Sequence, residues 1–140
     1  MRRILIVDDM LISREAVSRI LSGHGYETIQ AMNGAEALAL LKKNKVDLIM
    51  LDQMMPEVDG LTFLAGIRRF PKWKHLPVIM FTGVKDRSCV SRAQGLDVKE
   101  FLVKGEYDAR ELIGLVEKHL QGDLAAVGAG DAAEPGRVTL

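Results

Sequence analysis

The sequence predicts a three-layer, doubly wound α/β domain, and three observations carry that prediction. Short apolar runs of strand length alternate five times with segments of helical spacing. Several of the runs are almost continuously apolar, which suits central parallel strands covered on both faces. The polar residues of interest follow their runs by one or two positions, so they converge on one edge of the sheet. At 140 residues the chain fits one domain with a core large enough to fold unaided.

The first strand is RILIV, Arg3 to Val7. The helix after it is marked by Ala16, Val17, Ile20 and Leu21 and should end at Gly23 or Gly25, with His24 in the turn. ETIQA, Glu27 to Ala31, forms the second strand. Asn33 with Glu36 then signals a helix start, followed by Ala37, Leu38 and Leu41 on one face. VDLIML, Val46 to Leu51, is the third strand; Asp59 weakly marks the next helix, which carries Leu61, Leu64 and Ile67. The fourth strand is PVIMF, Pro77 to Phe81, and the helix from about Arg87 to Gln94 is the poorest, because Ser88, Cys89, Val90 and Ser91 have modest helix propensity. EFLV, Glu100 to Val103, closes the strand set, and Asp108 with Glu111 starts a last helix bearing Leu112, Ile113, Val116 and Leu120. Right-handed crossovers and five strands lead to the flavodoxin-like order 2-1-3-4-5, whose switch point for ligands lies between strands one and three.

Nineteen basic and nineteen acidic residues leave no net charge, which disfavours binding to nucleic acid or membrane through bulk charge. The single cysteine, Cys89, excludes an internal disulfide, and no Cys/His cluster offers a zinc site, so a reducing, cytoplasmic setting is the natural reading. The apolar start at Ile4 to Val7 is cut off by two aspartates before it resembles a signal peptide, and no other segment is long enough to span a membrane.

The polar chemistry falls at the predicted edge: Asp8 and Asp9 after strand one, Asp52 after strand three, Thr82 after strand four and Lys104 after strand five. Crowded carboxylates repel and raise a pKa unless positive charge is supplied. Lys104 supplies one charge and a divalent cation the rest; all-oxygen ligation suits magnesium. With such an ion present, a carboxylate can act as nucleophile toward phosphorus, and Asp52 is the best-placed candidate.

VDD at Val7 to Asp9, the D-x-x-M-P-x-x-D-G of Asp52 to Gly60, TG at Thr82 and Gly83, and VK at Val103 and Lys104 closely resemble the receiver domain of two-component response regulators, over roughly residues 1 to 121. The resemblance implies that Asp52 is the phosphoacceptor, with Asp9, Asp52 and the Met54 carbonyl as direct Mg2+ ligands and Asp8 acting through water. It implies Thr82 as the switch hydroxyl, Lys104 as the phosphate-binding lysine and Phe101 as the aromatic switch. The phosphoryl donor would be a sensor histidine kinase or a histidine phosphotransfer protein. The face made by the fourth helix, fifth strand and fifth helix would report phosphorylation to a protein partner, and a homodimer through the fourth and fifth helices is a further option.

Two departures stand out. Most receivers follow the lysine with proline in a cis peptide; here Gly105 follows Lys104, so a trans peptide and a looser loop are expected. The positions two after the acceptor and two after the switch threonine are Met54 and Val84, which cannot orient water strongly, so slow dephosphorylation is expected.

Other features have bland readings. RRFPKWKHLP, Arg68 to Pro77, reads as a solvated loop before strand four, with docking of an acidic partner through Trp73 as its alternative. Met50, Met54, Met55 and Met80 read as core filler, and Cys89 as a packing residue. After Leu120 the glycine- and alanine-rich stretch reads as a flexible tail or linker remnant over 122–140. Three other classes stay open: a magnesium-dependent phosphatase, although Met54 stands where its second aspartate belongs; a receiver-like scaffold that works without phosphorylation; and a flavodoxin, although no phosphate loop follows strand one.

Overall fold

The computed structural model describes residues 1–83 and 87–128, of which 87, 88 and 121–128 are described by backbone alone. Five parallel strands, β1 (Arg3–Val7), β2 (Glu27–Ala31), β3 (Leu48–Asp52), β4 (Val78–Thr82) and β5 (Val98–Val103), form one sheet in the order β2-β1-β3-β4-β5. Helices α1 (Leu11–Gly23), α2 (Gly34–Lys43), α3 (Gly60–Ile67), α4 (Arg87–Arg92) and α5 (Ala109–Gly128) follow their strands in turn. The order expected from the alternation is therefore the order found.

Strand alternation divides the core into two layers. Leu5, Val7, Ile49, Leu51 and Met80 face one side, against Ala37, Leu41, Leu64 and Ala93 from α2, α3 and the α4 end. Ile4, Ile6, Leu48, Met50 and Ile79 face the other, against Val17 and Leu21 of α1 and Leu112, Val116 and Leu120 of α5. Successive strand side chains point to opposite faces, so each strand serves both layers. Burial of this kind stabilises by about 25 cal/mol per Å² of apolar surface and fixes the register.

The caps are those the sequence signals. Asn33 Oδ1 accepts from the Glu36 N–H at 2.8 Å, and Glu36 Oε1 returns the bond to the Met32 N–H at 2.8 Å. At α5 the exchange is direct: Asp108 Oδ1 accepts from the Glu111 N–H at 2.8 Å and Glu111 Oε1 from the Asp108 N–H at 3.3 Å. His24 caps α1 and leads into Gly25, which takes φ +91 in the turn.

Some readings need correction. Trp73 is not an exposed anchor: it lies in a 3-10 turn, Pro71–Trp73, only 7% exposed, with Phe70 packed edge-on at 5.3 Å. The loop around it is pinned by Arg68, whose guanidinium donates to the carbonyls of Trp73, Leu76, Leu96 and Asp97. Met54 is not core filler either. It is 70% exposed, because its backbone N–H turns toward the Asp52 carboxylate and leaves the side chain on the rim, whereas Met50 and Met80 are fully buried. The α5 backbone stays helical to Gly128, past the boundary at 121–122, as its Leu124, Ala125 and Ala126 permit. Residues 129–140 and Val84 lie outside the described residues.

Candidate metal and phosphoacceptor site

The site forms where β1 and β3, neighbours in the sheet but far apart in the chain, both end. Val7 pairs with Leu51, so Asp8 and Asp52 emerge side by side. Asp52 is the last residue of β3, and Asp8 and Asp52 are only 3% and 2% exposed. Burying two carboxylates together is costly unless each is hydrogen-bonded or paired. Both are. The Met10 N–H donates to Asp8 Oδ1 at 3.0 Å, and the Met54 N–H donates to Asp52 Oδ1 at 3.3 Å. Lys104 Nζ, arriving from the end of β5, lies 3.0 Å from Asp8 Oδ2 and 3.2 Å from Asp52 Oδ2.

These contacts set the protonation states. Burial pushes the Asp52 carboxyl up to about 6; the Asp8 charge adds to this and Lys104 opposes it. Burial also disfavours the Asp8 carboxylate, but the Met10 N–H, the Ser13 hydroxyl and Lys104 outweigh it and hold that carboxyl below its usual range. For Lys104, burial works against the ammonium, yet the hydrogen bond to Asp8 and the two carboxylate charges hold its pKa above the ordinary value.

Asp9, which is exposed, completes the acidic set: one carboxylate oxygen from each of Asp8, Asp9 and Asp52 lies within 4.8 Å of the others. Three carboxylates against one ammonium leave two negative charges, the charge of one divalent cation in reverse. Hard oxygen donors on two neighbouring strands, open on the Asp9 side, fit a magnesium ion that keeps part of its water.

Thr82 ends β4 and is 6% exposed; its carbonyl accepts from the Lys104 N–H at 2.8 Å. Phe101 sits beside Met80 in the β4–β5 register, partly buried against the larger core layer. The structure thus brings Asp8, Asp9, Asp52 and Lys104 together, sets the Met54 backbone against Asp52, and places Thr82 on the adjacent strand end with Phe101 behind it. The Lys104–Gly105 peptide is trans, and Gly105 takes φ +82, a left-handed conformation closed to proline.

Two supporting residues, Gln53 and Arg14, go unmarked in the sequence, and Asp59, marked only as a helix start, does more than cap α3. Gln53 accepts from the Leu61 N–H at 2.9 Å and donates to Asp59 Oδ2 at 3.1 Å, fastening the loop after Asp52 to the start of α3. Asp59 caps Thr62 through its other oxygen at 2.9 Å and meets Arg92 of α4 at 3.2 Å. Arg14 donates to the Asp8 carbonyl at 2.8 Å and to Gln30 Oε1 at 2.9 Å. Gln53 is invisible in sequence because its role lies in two hydrogen bonds to the start of α3, which no motif spacing announces. Gly60 does carry a signal: a Cβ there would collide with the Asp52 carbonyl oxygen, so the D-G pair lets α3 begin directly against Asp52.

A parallel sheet of this order, with a lysine-bridged acidic cluster at its switch point, defines a class of protein suited to hold a divalent cation and a phosphoaspartate. The response regulator receiver domain family matches residues 4–117, and the chain belongs to that family. Chemotaxis protein CheY of Bacillus subtilis is 34% identical over 119 residues, 84% of this chain and 97% of that protein. Response regulator PleD of Caulobacter vibrioides is 36% identical over 104 residues, 73% of this chain; the chain spans only 22% of the length of PleD. The solved structure of response regulator TrrA from Thermotoga maritima, in complex with Mg(2+)-BeF, superposes with a TM-score of 0.76 at 34% identity, over 86% of this chain and 100% of that one. Receivers are in general signalling modules of two-component systems that take phosphoryl groups from histidine kinases, and the family binds Mg2+. Among the described residues no helix is long and apolar enough to cross a membrane.

Proposed function

We propose that this chain is a phosphorylation-activated response regulator receiver that accepts a phosphoryl group on Asp52 from a sensor histidine kinase or a histidine phosphotransfer protein. It signals by changing its binding to a downstream protein in the cytoplasm. The observation that carries this reading is the Lys104 ammonium bridging the buried Asp8 and Asp52 carboxylates at 3.0 and 3.2 Å. The receiver domain in this reading takes in residues 1–121, and the tail after them begins as the continuation of α5 to Gly128. The only chemistry the chain promotes is its own phosphoryl transfer and the later loss of that group.

An Asp52 oxygen attacks phosphorus in line. The bond from phosphorus to the donor nitrogen breaks, its electron pair leaves with the imidazole, and an acyl phosphate forms. Asp52 must be ionised to attack, and the Lys104 ammonium favours that state against burial. Asp8, Asp9, Asp52 and the Met54 carbonyl would hold Mg2+, which when bound offsets charge on the phosphoryl oxygens. Lys104 then turns one contact from carboxylate to phosphoryl oxygen, and the Thr82 hydroxyl takes another. Movement of Thr82 frees space for Phe101, which carries the change to the α4–β5–α5 face.

Intact mass after incubation with Mg2+ and acetyl phosphate tests this, beside an Asp52→Ala control. The expected result is one Mg2+-dependent phosphoryl adduct in the parent chain alone. If no adduct forms with acetyl phosphate or with a phosphorylated histidine kinase, while Mg2+ still binds, the acceptor role is wrong.

A further inference from the structure

We propose that Tyr107 is the positioning residue that keeps the Lys104 ammonium on the Asp8–Asp52 pair, doing for this loop what a rigid residue after the lysine would otherwise do. The consequence for phosphoryl transfer rests on Asp52 being the acceptor; the geometry stands without it.

Lysine carries its charge on a flexible four-carbon stem, so two contacts at 3.0 and 3.2 Å require a fixed backbone beneath it. On its strand side that backbone is fixed: the Lys104 N–H donates to the Thr82 carbonyl at 2.8 Å and the Glu106 N–H to the Val103 carbonyl at 2.9 Å. On its helix side little holds it. Gly105 takes φ +82 with nothing within 4 Å of a would-be Cβ. From Gly105 to Glu111 every residue is exposed except Tyr107. Its ring is the one side chain between Lys104 and Leu112 that enters the core, where it joins the α1–α5 layer.

The ring's partner ties it to the site. Tyr107 packs against Phe81 with centroids 5.5 Å apart and planes tilted by 38°. Phe81 is the β4 residue in register with Asp52 and immediately precedes Thr82. One aromatic contact therefore joins the loop that carries Lys104 to the strand that flanks the acceptor and bears the switch hydroxyl. The phenol is close enough to the site for its pKa to register it: burial pushes it up, Lys104 opposes and Asp8 adds.

The test compares Tyr107→Phe, Tyr107→Leu and Tyr107→Ala in the full chain. The readouts are the rate of adduct formation with acetyl phosphate and Mg2+, the Mg2+ concentration that half-saturates the rise in thermal midpoint, and the Lys104 side-chain 13Cε and 15Nζ resonances. The phenylalanine variant should stay within twofold of the parent, since the ring remains. The alanine variant should lose about tenfold in rate, as sub-ångström to ångström displacements of a reacting group can cost up to about 10²-fold. Leucine should lose at least threefold. Mg2+ half-saturation should move by less than twofold, because the carboxylates stand on β1 and β3. The Lys104 resonances should move toward those of a free lysine in alanine and not in phenylalanine. A rate and resonances unchanged in both alanine and leucine would overturn the inference. If the parent takes no phosphoryl group at all, the acceptor reading falls, and the Lys104 resonances alone decide this one. If alanine does not fold, leucine carries the same comparison.

Discussion

Replacing Asp52 by asparagine should stabilise the metal-free protein, and the gain should appear only as pH rises. The Asp52 carboxyl titrates at about 6 in the folded chain against an ordinary 3.8, with burial the first cause and Asp8 the second. A carboxyl whose pKa is raised by folding is neutral in both states well below 3.8 and contributes nothing there. Between 3.8 and about 6 the folded chain binds more protons than the unfolded one, so stability falls as pH rises, and above 6 the whole penalty is present. At about 1.4 kcal/mol per tenfold, that penalty is roughly 2–3 kcal/mol. Asparagine keeps the shape and an acceptor oxygen for the Met54 N–H, and it leaves Lys104 its bond to Asp8 at 3.0 Å. Urea unfolding followed by the buried Trp73 measures the effect. With slopes of about 1–3 kcal/mol per molar, the midpoint should rise by roughly 1–2 M at pH 7.5 and by almost nothing at pH 4. Added Mg2+ should narrow the gap by stabilising the parent alone. A variant less stable than the parent at pH 7.5, or a gap of the same size at both pH values, would refute the reasoning.

Three further outcomes follow from named contacts. Gly60→Ala drives a methyl into the Asp52 carbonyl oxygen and to 2.9 Å from Met80 Cε; it should cost about 2–4 kcal/mol in urea unfolding and slow adduct formation, and a loss below about 1 kcal/mol would show that the α3 start has room to move. Gly105→Ala meets no atom within 4 Å but must adopt φ +82, so a loss of about 1 kcal/mol is expected from backbone conformation alone; an unchanged midpoint would mean that the turn is not held. Met54, exposed on the rim of the site, cannot orient an attacking water, so Met54→Asn with Val84→Glu should speed loss of the phosphoryl group severalfold in a mass-spectrometric time course, and an unchanged rate would remove the account of slow dephosphorylation.

By itself the sequence determined the alternation, the parallel order, both capping boxes and the edge on which Asp8, Asp9, Asp52, Thr82 and Lys104 meet. These follow from local periodicity and from where each apolar run stops, and both are written along the chain. The tertiary structure alone decided the rest. Whether Met54 is core or rim, whether Trp73 is anchor or filler, and what Gln53 and Asp59 hold depend on how the loops fold at the sheet edge, which no period along the chain records. So does the Lys104 loop, where a glycine in a left-handed turn and a tyrosine packed against Phe81 stand in the place the family usually gives to proline. The Asp52 carboxyl illustrates the division: its place at the end of β3 is legible from VDLIMLD, but its pKa near 6 exists only once β1 and β5 deliver Asp8 and Lys104 and the sheet excludes water.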